Sequence, residues 1–226
     1  MGELRESKKR ETRQRISDVA TDLFYKKGFD AVTVEEIAAA AKVSKVTVFN
    51  YFPRKEDLLF DREDEVMQLL GEALRERPER RSPVTALRRL VDRLHEQGHP
   101  FARIDRQTVG FFRIVAASPS LKARLRELEG ETIERLAVAL AGPRPEGRAR
   151  LVAGLIVLTW RTAYGEAIRV LERGGSAKKA NAAFIALIDC GFASAHKLAA
   201  AQAGGLSRSA ASRPRTRRRR STQCLP

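Results

Sequence analysis

Cysteine is scarce in this 226-residue chain, which contains only Cys190 and Cys224. The two have neither metal-binding nor redox spacing, so the sequence gives no reason to expect a disulfide. Long hydrophobic runs are also missing, because the longest, residues 151–160, is about half of a membrane span. Residues 1–15 are charged throughout and do not resemble a secretory segment. A protein of the reducing cytoplasm is therefore expected.

Catalytic motifs are absent as well. The sequence has no phosphate-cradling glycine loop, no Gly-x-Ser-x-Gly motif and no cysteine with a neighbouring histidine, so an enzyme is not expected. His95 and His99 have the i, i+4 spacing of a metal pair, but Gly98 and Pro100 interrupt the helix that such a pair needs. The sequence therefore predicts neither a metal nor a cofactor.

Acidic residues are too few to balance the basic ones, 28 against 43, which leaves a net charge of +15. The excess collects at the two ends. Residues 3–15 hold six basic and three acidic side chains, and residues 205–226 hold seven arginines and no acid. A basic arm (residues 1–9) and a disordered basic tail (residues 204–226) are predicted, and both favour a polyanionic partner. Solvated termini without a partner are the alternative.

The most informative motif lies between residues 33 and 52. Thr33 and Glu36 have capping-box spacing, which predicts a helix that begins there. Alanines at positions 38–41 allow a second helix to cross closely, and Ser44 is placed to cap that second helix. Two short helices joined by a three-residue turn are typical of a helix-turn-helix, whose second helix reads the major groove of DNA.

Each outward residue of this motif has a predicted contact. Lys45 is placed to donate to guanine and Asn50 to pair with adenine, while Val46 offers methyl groups to thymine. Tyr51 and Lys55 are expected to contact the phosphate backbone. Without the motif, the same residues would be an ordinary polar helix face. The full predicted DNA-binding set is Thr33, Ser44, Lys45, Val46, Thr47, Phe49, Asn50, Tyr51 and Lys55.

These residues carry a family resemblance. The string Ala41-Lys-Val-Ser44, followed by Thr47-Val-Phe-Asn-Tyr-Phe52 and by Lys55-Glu-Asp-Leu58, resembles the signature of the TetR (tetracycline repressor) family of regulators. The similarity covers roughly residues 10–60. Three positions depart from the family pattern. Lys42 replaces the turn glycine and must adopt a left-handed conformation, Phe49 replaces a tyrosine, and Arg54 replaces a capping residue.

The resemblance implies an all-α protein. Residues 10–55 would form an N-terminal helix-turn-helix domain of three helices, and residues 56–203 a C-terminal helical bundle for ligand binding and dimerisation. It implies a homodimer on an inverted repeat of double-stranded operator DNA, and a repressor released by a small apolar effector. A constitutive repressor, a nonspecific DNA-compacting protein and a protein-binding adaptor are the alternatives. For each candidate pocket residue an ordinary core position is favoured over a ligand contact; the candidates are Phe101, Phe111, Phe112, Trp160 and Tyr164.

Hydrophobic periodicity and helix breakers predict nine helices and no strand. Pro53 is expected to open a fourth helix that runs to about residue 77, and Pro78 and Pro83 mark an elbow between the two functional regions. The last two helices are apolar on nearly all sides, which predicts either a four-helix bundle between two subunits or burial within one. The helices beyond the elbow are predicted at 84–97, 101–117, 119–140, 148–173 and 176–201.

Overall fold

The computed structural model describes the backbone of residues 2–209 and the side chains of residues 4–201. This part of the chain is helical, and the predicted all-α class is confirmed. In chain order it contains α1 (Gly2–Lys27), α2 (Val34–Ala40), α3 (Lys45–Tyr51), a 3₁₀ turn η1 (Lys55–Leu58), α4 (Glu63–Arg75), α5 (Pro83–Glu96), α6 (Arg106–Ala117), α7 (Pro119–Ala141), α8 (Gly147–Glu172) and α9 (Ala177–Ser209).

The structure describes most of the predicted N-terminal arm but only a small part of the predicted basic tail. α1 begins at Gly2, so residues 2–9 of the predicted arm form the first turns of a helix. The side chains of the predicted tail, residues 204–226, lie outside the described residues, and so does the backbone from residue 210 onward. The backbone of residues 204–209 continues α9 rather than being disordered, and the disorder of the rest of the tail stays a prediction.

The fourth helix begins later than predicted. Pro53 does not open it, because residues 55–58 form a single 3₁₀ turn and Leu58 and Leu59 point into a buried core. α4 starts at Glu63, where three consecutive acids occupy its first turn and favour the positive end of the helix dipole. α6 likewise starts at Arg106 rather than at residue 101, because the Asp105 carboxylate caps it by accepting from two backbone N–H groups.

Two hydrophobic cores divide the molecule. The larger one, here called the bundle core, joins α4, α5, α7, α8 and α9. The smaller one, the head core, joins α1, α2, α3 and η1 around Phe24, Ile37 and Phe52. Two further residues of the head core, Val115 and Leu121, belong to α6 and α7, where they are 3% and 0% exposed. The predicted elbow is present between α4 and α5, yet it does not separate the two cores.

Polar contacts reinforce this junction between the head and α6–α7. The Ser118 hydroxyl donates to the Asp30 carboxylate at 2.8 Å, and the Arg124 guanidinium donates to Asp57 at 2.8 Å. Arg54 donates to Glu127 at 2.6 Å. Burial opposes the charge on Arg124, but hydrogen bonds to Asp57 and to carboxylates of its own helix raise the pKa of this guanidinium overall. The head is therefore seated on the bundle by both apolar and charged groups.

α8 and α9 form the most extensive helix pair. The stretches Gly147–Glu172 and Ala177–Ala201 are apolar and long enough to cross a membrane by length and composition, a test that core helices of soluble proteins also meet. Here they pack on each other, and Thr159 of α8 lies directly against Gly191 of α9, where even a Cβ atom would overlap its side chain. Leu151 and Leu158 remain 64% and 47% exposed on the outer side of α8.

The crossing of α8 and α9 is expected to be intolerant of any side chain at residue 191. We expect Gly191→Ala to lower the free energy of unfolding by about 1–3 kcal/mol, because Thr159 must move within a packed core. Gly130→Ala is the matched control on α7. A Cβ there meets nothing within 4 Å, so helix propensity should raise stability by up to about 1 kcal/mol. Urea unfolding compares the two, and equal effects would contradict the close crossing.

Candidate nucleic-acid interface

The helix-turn-helix has the local geometry that its sequence predicts. The Thr33 hydroxyl accepts from the Glu36 backbone N–H at 3.2 Å, and the Ser44 hydroxyl accepts from the Thr47 N–H at 2.9 Å. Lys42, in the turn, has a φ of 55° and is the sole non-glycine residue with positive φ among residues 2–209. The two caps and the left-handed turn therefore hold α3 at a defined angle to α2.

The inner and outer faces of α3 are also as predicted. Val48 and Phe52 are each 1% exposed and anchor the helix in the head core. On the outer face, Val46 is 68% and Phe49 is 40% exposed. Large apolar side chains left in water beside polar neighbours are typical of a recognition surface. Lys45 and Asn50 are exposed on this helix as well, whereas Thr47 and Tyr51 are half-buried.

Lys45, the residue predicted to read guanine, is paired with an acid that sequence reasoning missed. Its ammonium donates to the carboxylate of Glu35, the second residue of α2. This hydrogen bond lowers the pKa of Glu35, so the carboxylate is ionised at neutral pH. An acid in the first turn of a helix is common because it suits the helix dipole. The sequence pattern alone therefore gave no sign of a contact with α3.

Arg13 is a second residue whose position the sequence did not reveal. It belongs to the basic cluster before the helix-turn-helix, yet its guanidinium donates to the carbonyls of Tyr51 at 3.1 Å and Asp61 at 3.3 Å. It also lies 4.3 Å from the centre of the Phe52 ring. Burial raises the pKa of the neighbouring Asp61, despite a hydrogen bond from Ser17 and the charge of Arg13. Arg13 thus ties α1 to the C-terminal end of α3.

Lys55, predicted to contact the phosphate backbone, also has partners within the protein. Its ammonium donates to the Phe29 carbonyl at 2.6 Å and lies 4.2 Å from the centre of the Phe29 ring. Partial burial lowers its pKa. The ammonium therefore joins η1 to the loop between α1 and α2. A phosphate contact requires it to leave or share these partners, so the predicted DNA role stays a prediction beside a role in the fold.

The candidate pocket residues form a continuous aromatic row rather than the lining of an open cavity. Phe111 lies 5.9 Å from Phe60 and 5.2 Å from Phe112, measured between ring centres. Phe112 lies 5.4 Å from Tyr164. Tyr164 and Trp160 both contact Phe184, at 5.3 Å and 6.2 Å. The row therefore runs from the head core, where Phe60 and Phe111 pack, to the bundle core.

Phe101 joins this row through its backbone. The Tyr164 hydroxyl donates to the Phe101 carbonyl at 2.7 Å, and burial raises the pKa of Tyr164 to about 12. A groove between described side chains lies elsewhere. It is an open groove of about 620 Å³ between α4 and α7, lined by Asp64, Met67, Gln68, Glu134, Arg135 and Val138. An effector among the aromatic residues would have to displace packed rings.

The head matches a known family. Residues 16–61 match the profile described as "Bacterial regulatory proteins, tetR family". These residues therefore form a DNA-binding domain of the kind found in the TetR family. The predicted resemblance is therefore confirmed. The matched segment contains the exposed face of α3 formed by Lys45, Val46, Phe49 and Asn50, here called the reading surface.

Sequence relatives support this assignment. Over 50 residues the chain is 46% identical to YdeS of Bacillus subtilis (strain 168), an uncharacterized HTH-type transcriptional regulator, which covers 22% of this chain and 25% of YdeS. Over 147 residues it is 29% identical to the HTH-type transcriptional regulator TcmR of Streptomyces glaucescens, covering 62% and 64%. The chain thus spans less than two thirds of the length of these relatives.

A solved structure extends the likeness beyond the head. SmeT, in its complex with triclosan, covers 81% of this chain and 91% of its own with a TM-score of 0.55. At 20% sequence identity, this match shows that the two proteins share a fold.

The contacts of Arg13 are expected to stabilise the head. Arg13→Ala removes two hydrogen bonds to backbone carbonyls and the contact with Phe52, and should lower the free energy of unfolding by about 1–3 kcal/mol. The control is Arg15→Ala, an exposed residue on the same helix, which should change stability by less than about 0.5 kcal/mol. Thermal unfolding of both variants measures the difference. If Arg15→Ala were the more damaging change, Arg13 would not hold α3 in place.

Proposed function

We propose that this protein is a cytoplasmic transcriptional repressor of the TetR family that binds operator DNA in a sequence-specific manner. The observation that carries the proposal is the outer face of α3, on which Lys45, Val46, Phe49 and Asn50 stand exposed on a helix capped by Ser44. A helix held this way presents donors and methyl groups in a constant order, which is what base reading in the major groove requires. A nonspecific DNA-compacting protein has no need of such a surface.

We further propose that the protein acts as a homodimer. The exposed Leu151 and Leu158 on α8 give an apolar stripe, and exposed small residues of α9, Ala182, Ala186 and Ala193, allow a partner helix to approach. Pairing of α8 and α9 with the same helices of a second subunit would cover both. A two-fold axis would then place two recognition helices about 34–36 Å apart, one turn of DNA, on an inverted repeat.

A small apolar effector is the third element of the proposal. The aromatic row connects the bundle core to the head core. A molecule that displaces its rings would therefore act on the contacts between the head and α6–α7. SmeT, which has the same fold, is found in complex with triclosan. A coupling of about 1–3 kcal/mol between effector and DNA would change operator affinity about 5- to 150-fold.

Selection of binding sites from random duplex DNA tests the DNA-binding function. The wild-type protein should return an inverted repeat. Lys45→Ala should cost about 1–3 kcal/mol on the best site and relax the preference at one base pair in each half-site. Lys26→Ala is the control, because this exposed lysine pairs with Asp22 on α1, and it should leave the selected sequence unchanged. A wild-type protein that bound all sequences equally would favour DNA compaction instead.

The effector is tested by screening small apolar molecules, triclosan among them, for thermal stabilisation and then for displacement of operator DNA. Phe112→Leu and Trp160→Leu should abolish the response, because each removes a ring from the aromatic row while preserving an apolar side chain. Both should still bind the operator. Val138→Ala, an exposed position on α7, should respond like the wild type. Compounds that stabilise the protein without changing DNA affinity would indicate a constitutive repressor.

A further inference from the structure

The ion pair between Glu35 and Lys45 lies at the end of the reading surface that approaches the bases. Lys45 is the first residue of α3, and in helix-turn-helix proteins the N-terminal residues of the recognition helix contact base edges. The Glu35 carboxylate accepts directly from this ammonium, and the two side chains remain 62% and 52% exposed. A negative charge therefore stands beside the donor that is expected to enter the major groove.

A role in the helix dipole does not account for this contact. Both Glu35 and Glu36 lie in the first turn of α2, where either carboxylate interacts favourably with the dipole. Glu36 pairs with Lys27 of α1, whereas Glu35 reaches across the turn to the recognition helix. For binding to DNA in general this arrangement is unfavourable, because it neutralises a cation and brings a carboxylate toward phosphates. This loss of DNA affinity is offset only where a base offers a hydrogen-bond donor to the carboxylate.

Among the bases, cytosine is the one that suits this carboxylate. Its N4 amino group is a donor in the major groove, whereas guanine O6 and N7 and thymine O4 are acceptors, and adenine places its N7 acceptor next to its N6 donor. Within one G·C pair, guanine O6 and cytosine N4 stand side by side because they are hydrogen-bonded to each other. The Lys45 ammonium and the Glu35 carboxylate are likewise hydrogen-bonded to each other, so a donor and an acceptor stand side by side on the protein.

We propose that Glu35 is a specificity-determining residue, which accepts from cytosine N4 of the same G·C pair whose guanine Lys45 contacts. The inference rests on the proposed DNA-binding function and deepens it. Lys45 alone supplies a flexible donor that any guanine satisfies. With Glu35 beside it, adenine in place of the guanine leaves the ammonium facing the N6 donor and the carboxylate facing thymine O4, so this A·T pair is actively rejected. A T·A pair keeps an acceptor and a donor in the same order and is disfavoured only by its methyl group and by adenine N7.

The test compares full-length wild type, Glu35→Ala, Glu35→Gln and the neighbouring control Glu36→Gln by selection on random duplex DNA. Titrations on the selected operator and its single-pair variants follow. The wild type should prefer G·C over A·T by about tenfold or more at one pair per half-site. Glu35→Ala should reduce that preference severalfold and bind unrelated DNA more tightly. Glu35→Gln should accept adenine in place of the cytosine, because glutamine pairs with adenine N6 and N7. Glu36→Gln should keep the wild-type preference.

Three results would overturn the inference. If Glu35→Ala selects the same sequence as the wild type, the carboxylate reads no base. If Glu35→Ala weakens binding to all sequences alike, or Glu35→Gln keeps the G·C preference, Glu35 only orients Lys45. All three results leave the proposed function standing. A wild-type protein that selects no sequence would instead overturn the proposed function together with this inference.

Discussion

The placement of the reading surface depends on the burial of Val115 and Leu121, side chains of α6 and α7, inside the head core. Full burial of one such side chain contributes about 1.5–3 kcal/mol, whereas exposed ion pairs such as Arg54–Glu127 contribute less than about 1 kcal/mol each. The apolar contacts therefore dominate the energy of the junction, and the charged contacts set its register. The head core is completed by side chains of α6 and α7. The position of these two helices therefore determines the orientation of the head more directly than the covalent connection through α4 does.

This arrangement changes the route by which an effector would act. The predicted elbow at residues 78–83 alone would leave α4 as the connection between the head and the rest of the bundle. In the structure, Phe60 of the head meets Phe111 of α6, and the contacts continue through Phe112 and Tyr164 into the bundle core. Close-packed rings transmit displacement because they cannot be compressed. The turn at Ser118 and Pro119, which is tied to Asp30, lies where such a displacement would reach the head.

Local signals predicted the parts of the molecule that neighbouring residues determine. Thr33 and Ser44 as caps and the inward Val48 and Phe52 followed from spacing and residue type, and the left-handed Lys42 followed from the family resemblance. Contacts between distant segments could not be predicted in this way. Arg13 looked like one cation of a charged arm, and its partners are 38 and 48 residues away. Lys55 was assigned to phosphate, but its partner is the Phe29 carbonyl.

The start of α4 and the place of Glu35 were missed for the same physical reason. Pro53 permits a helix, but burial of Leu58 and Leu59 in the head core requires the chain to turn there. Similarly, Glu35 is acceptable in any first helical turn, and only the fold places Lys45 beside it. The shared core also has a consequence for biosynthesis. Since a nascent chain emerges from the ribosome N-terminus first, the head stays incomplete until residue 121 has emerged, and a prematurely terminated chain would expose its unfinished apolar surface rather than occupy an operator.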